Sequence, residues 1–282
     1  MRRLMPKADS PKALLERYGL KPKYSFGQNF LADERFTARI AETCAARGGS
    51  VVELGAGLGA LTRPLLASGV SWVLAVERDR DLVPALSQEL ALDIEAGRLQ
   101  ILEEDAKAVD FAAAFVGKPK PHVVAGNLPY QLTGPLLEKA VHASPNIDRA
   151  VFMVQLEVAD RLAAPPNSDA YGALSVFAQR AFKVTRAFVV KRGAFYPQPN
   201  VDSAVVKLEP LGAGPETDEF RAVVRAAFGQ RRKKLKNVWA GIFGERGIEL
   251  LGAAERACID LSMRGETLSV ADFERMAAEL RA

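Results

Sequence analysis

Short apolar runs alternate with segments of helical periodicity along residues 1–210 of this 282-residue chain. Each run has the length and the β-branched or aromatic content of a buried strand. The runs are Val51–Leu54, Trp72–Val76, Leu99–Leu102, His122–Ala125, Ala150–Val154, Phe182–Val190 and Ala204–Leu208. The predicted helices between them include Gly59–Ser68 and a helix that Asp79 caps and that continues to about Leu92. Strands joined through helices pair in parallel, because each crossover returns the chain to the same end of the sheet. The alternation therefore predicts an α/β fold with a mostly parallel, doubly wound sheet.

The pattern changes after Pro210. Leu211–Glu216 has the glycine and proline content of a linker, and the periodicity from Asp218 onward is helical. Two domains are therefore predicted. Residues 1–210 form the α/β domain with a basic N-terminal segment, and residues 211–282 form a smaller all-helical domain.

Composition narrows the class of protein. A net charge of +4 and a pI near 9.1 favour a polyanionic partner without identifying one. Cys44 and Cys258 lie far apart and the chain has only two histidines, so neither a disulfide framework nor a metal site is predicted. A reducing cytoplasm is expected. No apolar run reaches 18 residues, so no membrane span is predicted.

A glycine-rich loop, Gly55-Ala56-Gly57-Leu58-Gly59, follows the first predicted strand. Glycines at such a turn let a ligand approach the backbone closely. The spacing is G-x-G-x-G and not the dinucleotide-binding G-x-G-x-x-G. The loop therefore favours a nucleoside ligand without a pyrophosphate over NAD, and we expect Gly55 and Gly57 to contact it. A tight turn without a ligand is the alternative.

Acidic residues follow the next two strands. Glu77 ends the second predicted strand, where a carboxylate can accept both hydroxyls of a ribose. Dehydrogenases use the same position, so Glu77 does not separate the two ligand classes. Asp105 follows the third strand and could accept a hydrogen bond from an adenine amino group, although a solvated acidic loop explains it equally well.

The segment Asn127-Leu128-Pro129-Tyr130 follows the fourth predicted strand. Open α/β sheets bind ligands at the carboxyl ends of their strands. If the ligand is S-adenosylmethionine and the acceptor an adenine amine, the Asn127 side-chain oxygen and the Leu128 carbonyl could accept its two N–H bonds. Pro129 would stiffen the turn and Tyr130 would stack on the base. Positioning alone could then support methyl transfer. A polar turn with a packed tyrosine is the alternative.

Two further segments have residues that are typical of RNA contacts. Phe195, in the proline-rich loop Phe195–Ser203, could cover the other face of the target base, or it could simply anchor the loop. A basic run in the helical domain contains no acid and suits phosphate contacts, although a solvated helix face is the alternative. Its members are Arg225, Arg231, Arg232, Lys233, Lys234 and Lys236.

With these motifs in place, the chain resembles the small-subunit ribosomal RNA adenine dimethyltransferases. The specific motifs are Lys23–Leu31 and Asn127–Tyr130, and the resemblance continues through the Phe195–Ser203 loop to Trp239. It implies a Rossmann-like class I methyltransferase sheet with S-adenosylmethionine as cofactor. It also implies cofactor contacts, which would come from Asn29, Leu31, Gly55, Glu77, Asp105 and Asn127.

The resemblance implies N6-dimethylation of two adjacent adenosines near the 3′ end of 16S rRNA, linked to 30S subunit biogenesis. The expected partner is rRNA within a pre-30S particle, and we expect a cytoplasmic monomer. Leu156 and Ala173 depart from the family pattern, which often has lysine and arginine there. These departures affect the expected RNA surface more than the chemistry. The alternatives are a large-subunit rRNA methyltransferase of the antibiotic-resistance type and a non-enzymatic ribosome-assembly factor; a dehydrogenase is more distant.

Overall fold

The computed structural model describes residues 9–214 and 216–281. Arg2, Arg3 and Lys7 of the predicted basic N-terminal segment and Pro215 of the predicted linker lie outside these residues. Within the described ranges, no helix is both long enough and apolar enough to cross a lipid bilayer.

The strands are β1 (Phe30–Leu31), β2 (Ser50–Leu54), β3 (Trp72–Glu77), β4 (Leu99–Glu103), β5 (His122–Asn127), β6 (Arg149–Gln155), β7 (Phe182–Val190), β8 (Phe195–Tyr196) and β9 (Ser203–Pro210). The helices up to residue 162 are α1 (Pro11–Arg17), α2 (Glu34–Cys44), α3 (Thr62–Ala67), α4 (Val83–Glu89), α5 (Ala91–Glu95), α6 (Phe111–Ala114), α7 (Thr133–Ala143) and α8 (Leu156–Leu162). The remaining helices are α9 (Ala173–Ala181), α10 (Asp218–Gly229), α11 (Leu235–Gly244), α12 (Leu250–Arg256) and α13 (Val270–Glu279).

The main sheet has seven strands in the order β4-β3-β2-β5-β6-β9-β7. Strands β4, β3, β2, β5 and β6 pair in parallel, and β9 pairs antiparallel with β6. Every residue of β2 and β3 is buried, as expected for central parallel strands covered on both faces by helices. The predicted α/β fold is confirmed.

Two helices differ from their predicted bounds. Helix α3 begins at Thr62 and not at Gly59, because Gly59 has a φ of +81°, which a right-handed helix does not accept. The helix expected from Asp79 to Leu92 is divided at Leu90 into α4 and α5. Asp79 does not cap α4, whose N-cap residue is Leu82. The Asp79 carboxylate instead accepts hydrogen bonds from an earlier segment.

Two N-terminal elements have no counterpart in the prediction. Helix α1 is capped by the Ser10 hydroxyl, which accepts a hydrogen bond from the Ala13 N–H at 3.2 Å. Strands β1 and β8 form a separate two-stranded antiparallel sheet, with Leu31 opposite Phe195. This small sheet joins the Lys23–Leu31 segment to the Phe195–Ser203 loop.

The described chain divides into two compact units. The first runs to Ala159 and resumes over Thr185–Pro210, and the second comprises Asp160–Val184 and the chain from Leu211 onward. This division differs from the predicted single boundary at residue 210. Residues 160–184 join the helical unit because Tyr171 and Val176 are buried in its core, where the Tyr171 hydroxyl donates to the Leu268 carbonyl oxygen at 2.9 Å.

The helical unit has its own aromatic core. Trp239, Phe243 and Phe273 are fully buried, and Trp239 Nε1 donates to the Val223 carbonyl oxygen at 2.9 Å. Satisfying the indole N–H in this way avoids the cost of burying an unpaired donor. The predicted helical character of the chain beyond Asp218 agrees with α10–α13.

Gly126→Ala tests the close approach of β5 to β2. A Cβ atom at Gly126 would lie 2.4 Å from the Leu54 carbonyl oxygen, so the strands would have to separate. We expect the free energy of unfolding, measured by urea denaturation, to fall by about 1–3 kcal/mol. Gly134→Ala in α7 is the matched control, because a Cβ there meets no atom within 4 Å. Equal stability of the two variants would contradict the prediction.

Candidate active site

The carboxyl ends of β2, β3 and β5 open onto one cavity. Parallel strands place their carboxyl ends at the same edge of the sheet, so loops distant in sequence converge there. The predicted site residues that line this cavity are Asn29, Leu31, Gly55, Gly57, Glu77, Asn127, Leu128, Pro129 and Tyr130. Most of the residues proposed from the sequence are therefore brought together.

The backbone of the glycine loop has a conformation that residues with a Cβ atom rarely adopt. Gly55 and Gly57 have φ values of +75° and +57°, in the left-handed region. A Cβ at Gly57 would also lie 3.2 Å from the Phe30 ring. The Gly57 N–H donates to Glu77 Oε2 at 2.7 Å, so the loop after β2 is attached to the end of β3.

Glu77 is held rigidly at the cavity wall. It is buried, and its second oxygen, Oε1, accepts the Asp79 N–H at 2.8 Å. Burial raises the pKa of Glu77, while the backbone hydrogen bonds from Asp79 and Gly57 act in the opposite direction. Each carboxylate oxygen has two lone pairs, so both oxygens keep capacity for a donor from a ligand.

The Lys23–Leu31 segment is attached to this strand end through Asp79. Gln28 Nε2 donates to Asp79 Oδ2 at 2.7 Å, and Lys23 Nζ bridges Asp79 and Asp81. Burial alone would raise the pKa of Asp79, but the hydrogen bonds from Lys23 and Gln28 bring it below its ordinary value. The carboxylate is thus kept ionised, and it fixes the segment that carries Asn29.

Asn127 is the last residue of β5, and its amide has a fixed orientation. Its Nδ2 donates to the main-chain oxygen of Asn29 at 3.0 Å. The following residue, Leu128, is buried, and its N–H donates to the Met153 oxygen at 3.1 Å. Among the described residues, no donor contacts Asn127 Oδ1 or the Leu128 carbonyl oxygen. Two acceptors at the cavity therefore stay available to a ligand.

Two predicted site residues do not line the cavity. Asp105 lies between the lining residues Glu104 and Ala106, and its Oδ2 is 3.6 Å from Arg78 Nη1. Phe195 is buried in the core of the α/β unit, opposite Leu31 in the small sheet. This packing matches the alternative in which Phe195 anchors its loop. Their proposed contacts with a ligand stay predictions.

Glu53 is a site residue that the sequence analysis did not single out. It lines the cavity, is 1% exposed and accepts a hydrogen bond from the Thr62 hydroxyl at 2.6 Å. Burial raises its pKa to about 8, to which the charge of Glu77 contributes, while the Thr62 bond lowers it. An acid inside an apolar strand directly before the glycine loop was the available signal, since such residues are rarely buried without a role.

The basic run lies on exposed positions of the helical unit. All six of its side chains are exposed, and Arg231 is bonded to Glu266 and to the Asp169 carbonyl oxygen. Within residues 9–214 and 216–281, the other members form no ion pair. They are Arg225, Arg232, Lys233, Lys234 and Lys236. The hydrogen bonds from Ser262 and, to a smaller extent, the charge of Lys234 lower the pKa of Asp260. The other four cations have no close acidic partner among the described residues and are suited to phosphate groups.

Most of the described lysine and arginine side chains of the N-terminal segment form ion pairs within the protein. Lys12 lies 3.9 Å from Glu16, Arg17 bonds to Glu89 at 2.9 Å, and Lys23 bridges two aspartates. The Glu89 carboxylate also accepts bonds from Tyr18 and Arg63. This part of the segment therefore anchors the N-terminus to the α/β unit.

The chain matches a known protein family along most of its length. The model of the family described as "Ribosomal RNA adenine dimethylase" matches residues 19–281. The chain belongs to that family. It is 45% identical over 94% of its length to Ribosomal RNA small subunit methyltransferase A of Anaeromyxobacter sp. (strain K), of which it covers 95%. The protein of the same name from Streptococcus thermophilus (strain ATCC BAA-250 / LMG 18311) is 40% identical, with 96% of each chain covered.

Solved structures support the fold of this family member. A dimethyladenosine transferase from Plasmodium falciparum superposes with a TM-score of 0.74 at 24% identity, over 88% of this chain and 95% of that one. The 23S rRNA methyltransferase ErmE superposes with a TM-score of 0.67 at 24% identity, over 90% of this chain and 100% of that one. At this identity the similarity establishes the class I methyltransferase fold.

Glu53→Gln tests the buried acid. Folded Glu53 keeps its proton up to about pH 8, whereas the ordinary value is 4.5, so between these values the folded state holds a proton that the unfolded state has lost. The free energy of unfolding should therefore fall as pH rises through this window, by at most about 1.4 kcal/mol per pH unit.

Glutamine cannot ionise, so Glu53→Gln should flatten this pH dependence in urea denaturation series from pH 4.5 to pH 8. The exposed Glu42→Gln is the matched control and should keep the wild-type slope. Parallel curves for wild type and Glu53→Gln would show that Glu53 does not titrate in this range.

Proposed function

We propose that this protein transfers methyl groups from S-adenosylmethionine to the N6 atoms of adenosines in small-subunit ribosomal RNA. The observation that carries the proposal is the fixed Asn127 amide at the end of β5, next to the glycine loop and Glu77, in a member of the ribosomal RNA adenine dimethylase family. The small-subunit assignment follows the names of relatives that are 40–45% identical over almost the whole chain.

The cavity fits a nucleoside methyl donor. Gly55 and Gly57 leave no side chain between backbone and ligand, and Glu77 has lone pairs for ribose hydroxyls. Asn29 and Leu31 would contribute from the N-terminal segment, and Asp105 from the loop after β4. When bound, S-adenosylmethionine supplies a methyl group activated by a positively charged sulfur.

The chain's own contribution at the acceptor end is to hold the target amine. Asn127 Oδ1 and the Leu128 carbonyl oxygen would accept its two N–H bonds, which favours a pyramidal nitrogen with an available lone pair. Asn127 Nδ2 donates to the Asn29 carbonyl oxygen, and a flipped amide would lose this hydrogen bond. The amide is therefore held with Oδ1, and not Nδ2, available to the target amine. Tyr130 would stack on the base, and Phe195 would support the same end of the site from the core.

Catalysis in this proposal comes from orientation and not from a strong base. Holding reacting groups in the correct geometry can supply about 7–11 kcal/mol of a reaction barrier. The two histidines of the chain, His122 and His142, are absent from the cavity lining. The proton released by the methylated amine can pass to solvent.

The remaining questions are which nucleotides are methylated, in which particle, and which residues contact the RNA. We propose dimethylation of two adjacent adenosines near the 3′ end of the rRNA, within a pre-30S particle, by a cytoplasmic monomer. The basic run would contact RNA phosphates, which position the RNA without reading its sequence. Leu156 and Ala173 are the first residues of α8 and α9. Neither supplies the positive charge that family members often have at these positions.

Asn127→Ala tests the acceptor site. Loss of the Oδ1 acceptor should abolish methyl transfer, while the fold is expected to be retained. Dimethyladenosine would be measured by mass spectrometry after incubation with hypomethylated small subunits, and cofactor binding by calorimetry. Asn146→Ala, an exposed site before the amino end of β6, is the matched control.

The same assay separates the competing functions. Normal activity of Asn127→Ala would refute the assigned site. Methylation of large subunits in place of small ones would indicate the antibiotic-resistance type of activity. Wild-type protein that binds no S-adenosylmethionine would instead indicate a non-enzymatic assembly factor.

Lys233→Glu tests the basic run. Reversing one exposed charge should weaken RNA binding and lower the slope of log affinity against log salt concentration by about one unit, because one phosphate contact is lost. The measurement is a filter-binding salt titration with small-subunit rRNA. Lys183→Glu changes the same charge at an exposed position outside the run and should leave the slope unchanged. Equal slopes for both variants would place RNA binding elsewhere.

A further inference from the structure

The tip of the Tyr130 ring is hydrogen-bonded to a serine 73 residues later in the chain. Tyr130 Oη lies 3.1 Å from Ser203 Oγ. Tyr130 is partly buried and lines the cavity, whereas Ser203 is 1% exposed and is absent from the cavity lining. Ser203 therefore contacts a residue of the site without reaching a ligand itself.

Ser203 lies in a rigid part of the chain. It is the first residue of β9, where it pairs with Gln155 at the end of β6. The preceding residue, Asp202, is held by three bonds. Its carbonyl oxygen accepts the Leu156 N–H at 3.0 Å, Oδ1 accepts the Arg192 N–H at 3.0 Å, and Oδ2 pairs with Lys191 Nζ at 2.9 Å. The Ser203 hydroxyl is thus a fixed point beside a movable ring.

A tyrosine ring on a short turn can rotate about two side-chain bonds. Tyr130 begins such a turn directly after Pro129, whose carbonyl oxygen accepts the Leu132 N–H at 2.8 Å. The backbone is therefore restrained, and a hydrogen bond at the far end of the ring removes the remaining freedom. The orientation of the ring decides how a stacked base presents its amine to Asn127.

We propose that Ser203 is a positioning residue that sets the plane of the Tyr130 ring for base stacking. This inference rests on the proposed function, because the stacked base is the substrate of that reaction. The bond also engages the phenol oxygen of Tyr130, so the ring serves as a stacking surface and its hydroxyl as an anchor. The proline-rich loop that ends at Ser203 acts on the acceptor site through this contact.

A double-mutant cycle tests the inference. Ser203→Ala and Tyr130→Phe each delete the same hydrogen bond and keep the ring. We expect either change to lower kcat on hypomethylated small subunits by about three- to tenfold, the effect of one hydrogen bond. The double variant should lose no more than the stronger single variant, and the KM for S-adenosylmethionine should stay unchanged.

Ser50→Ala is the matched control. Ser50 is also fully buried and begins strand β2, and its hydroxyl donates to the Pro119 carbonyl oxygen at 2.8 Å, away from the cavity lining. It should lower stability as Ser203→Ala does and leave kcat unchanged. A loss of kcat that follows stability alone would show a purely structural role for Ser203 and overturn the inference.

The remaining outcomes separate the inference from the proposed function. Wild-type kcat in Ser203→Ala, or losses that multiply in the double variant, would overturn the positioning role while the proposed function stands. If Ser203→Ala fails to fold, Tyr130→Phe alone tests the inference. Wild-type kcat in Tyr130→Phe would then overturn the positioning role of Ser203. Wild-type protein that methylates no small subunit would refute the proposed function and the inference together.

Discussion

The hydrogen bond from Asn127 Nδ2 to the Asn29 carbonyl oxygen joins segments 98 residues apart, and the proposed acceptor site depends on it. It requires β5 to end beside the N-terminal segment, which in turn requires that segment to be fastened to the sheet. Gln28 and Lys23 provide this attachment through Asp79, just beyond β3. Parallel strand order brings the three segments to one edge, and side-chain bonds then hold them there.

Charge inside this site is controlled by burial and by backbone donors. Glu77 and Glu53 both have raised pKa values because burial disfavours their ionised forms. Glu77 nevertheless receives N–H bonds from Gly57 and Asp79, which orient both of its oxygens. Among the described residues, the Thr62 hydroxyl is the one donor to Glu53, which keeps its proton up to about pH 8. Two acids can thus line one buried wall, because a protonated Glu53 places no charge beside Glu77.

The proposed acceptor end relies on fixed geometry and not on an acid or a base. It consists of an amide, a carbonyl and an aromatic ring, each held by another part of the fold. Asn127 is held by Asn29, Leu128 by Met153, and Tyr130 by Ser203. Such preorganisation suits a reaction whose difficulty lies in orienting a weak nucleophile. Family membership and the small-subunit names of the relatives agree with that chemistry.

Local sequence determined the seven strands of the main sheet, the glycine loop and the placement of Asn127 at a strand end, because hydrophobic periodicity and positive φ angles are short-range properties. Only the tertiary structure decided three other matters. It placed Phe195 in the core, it assigned residues 160–184 to the helical unit, and it joined Tyr130 to Ser203. Each depends on contacts between residues distant in sequence. A pattern read along one segment contains no information about which remote segment will cover it.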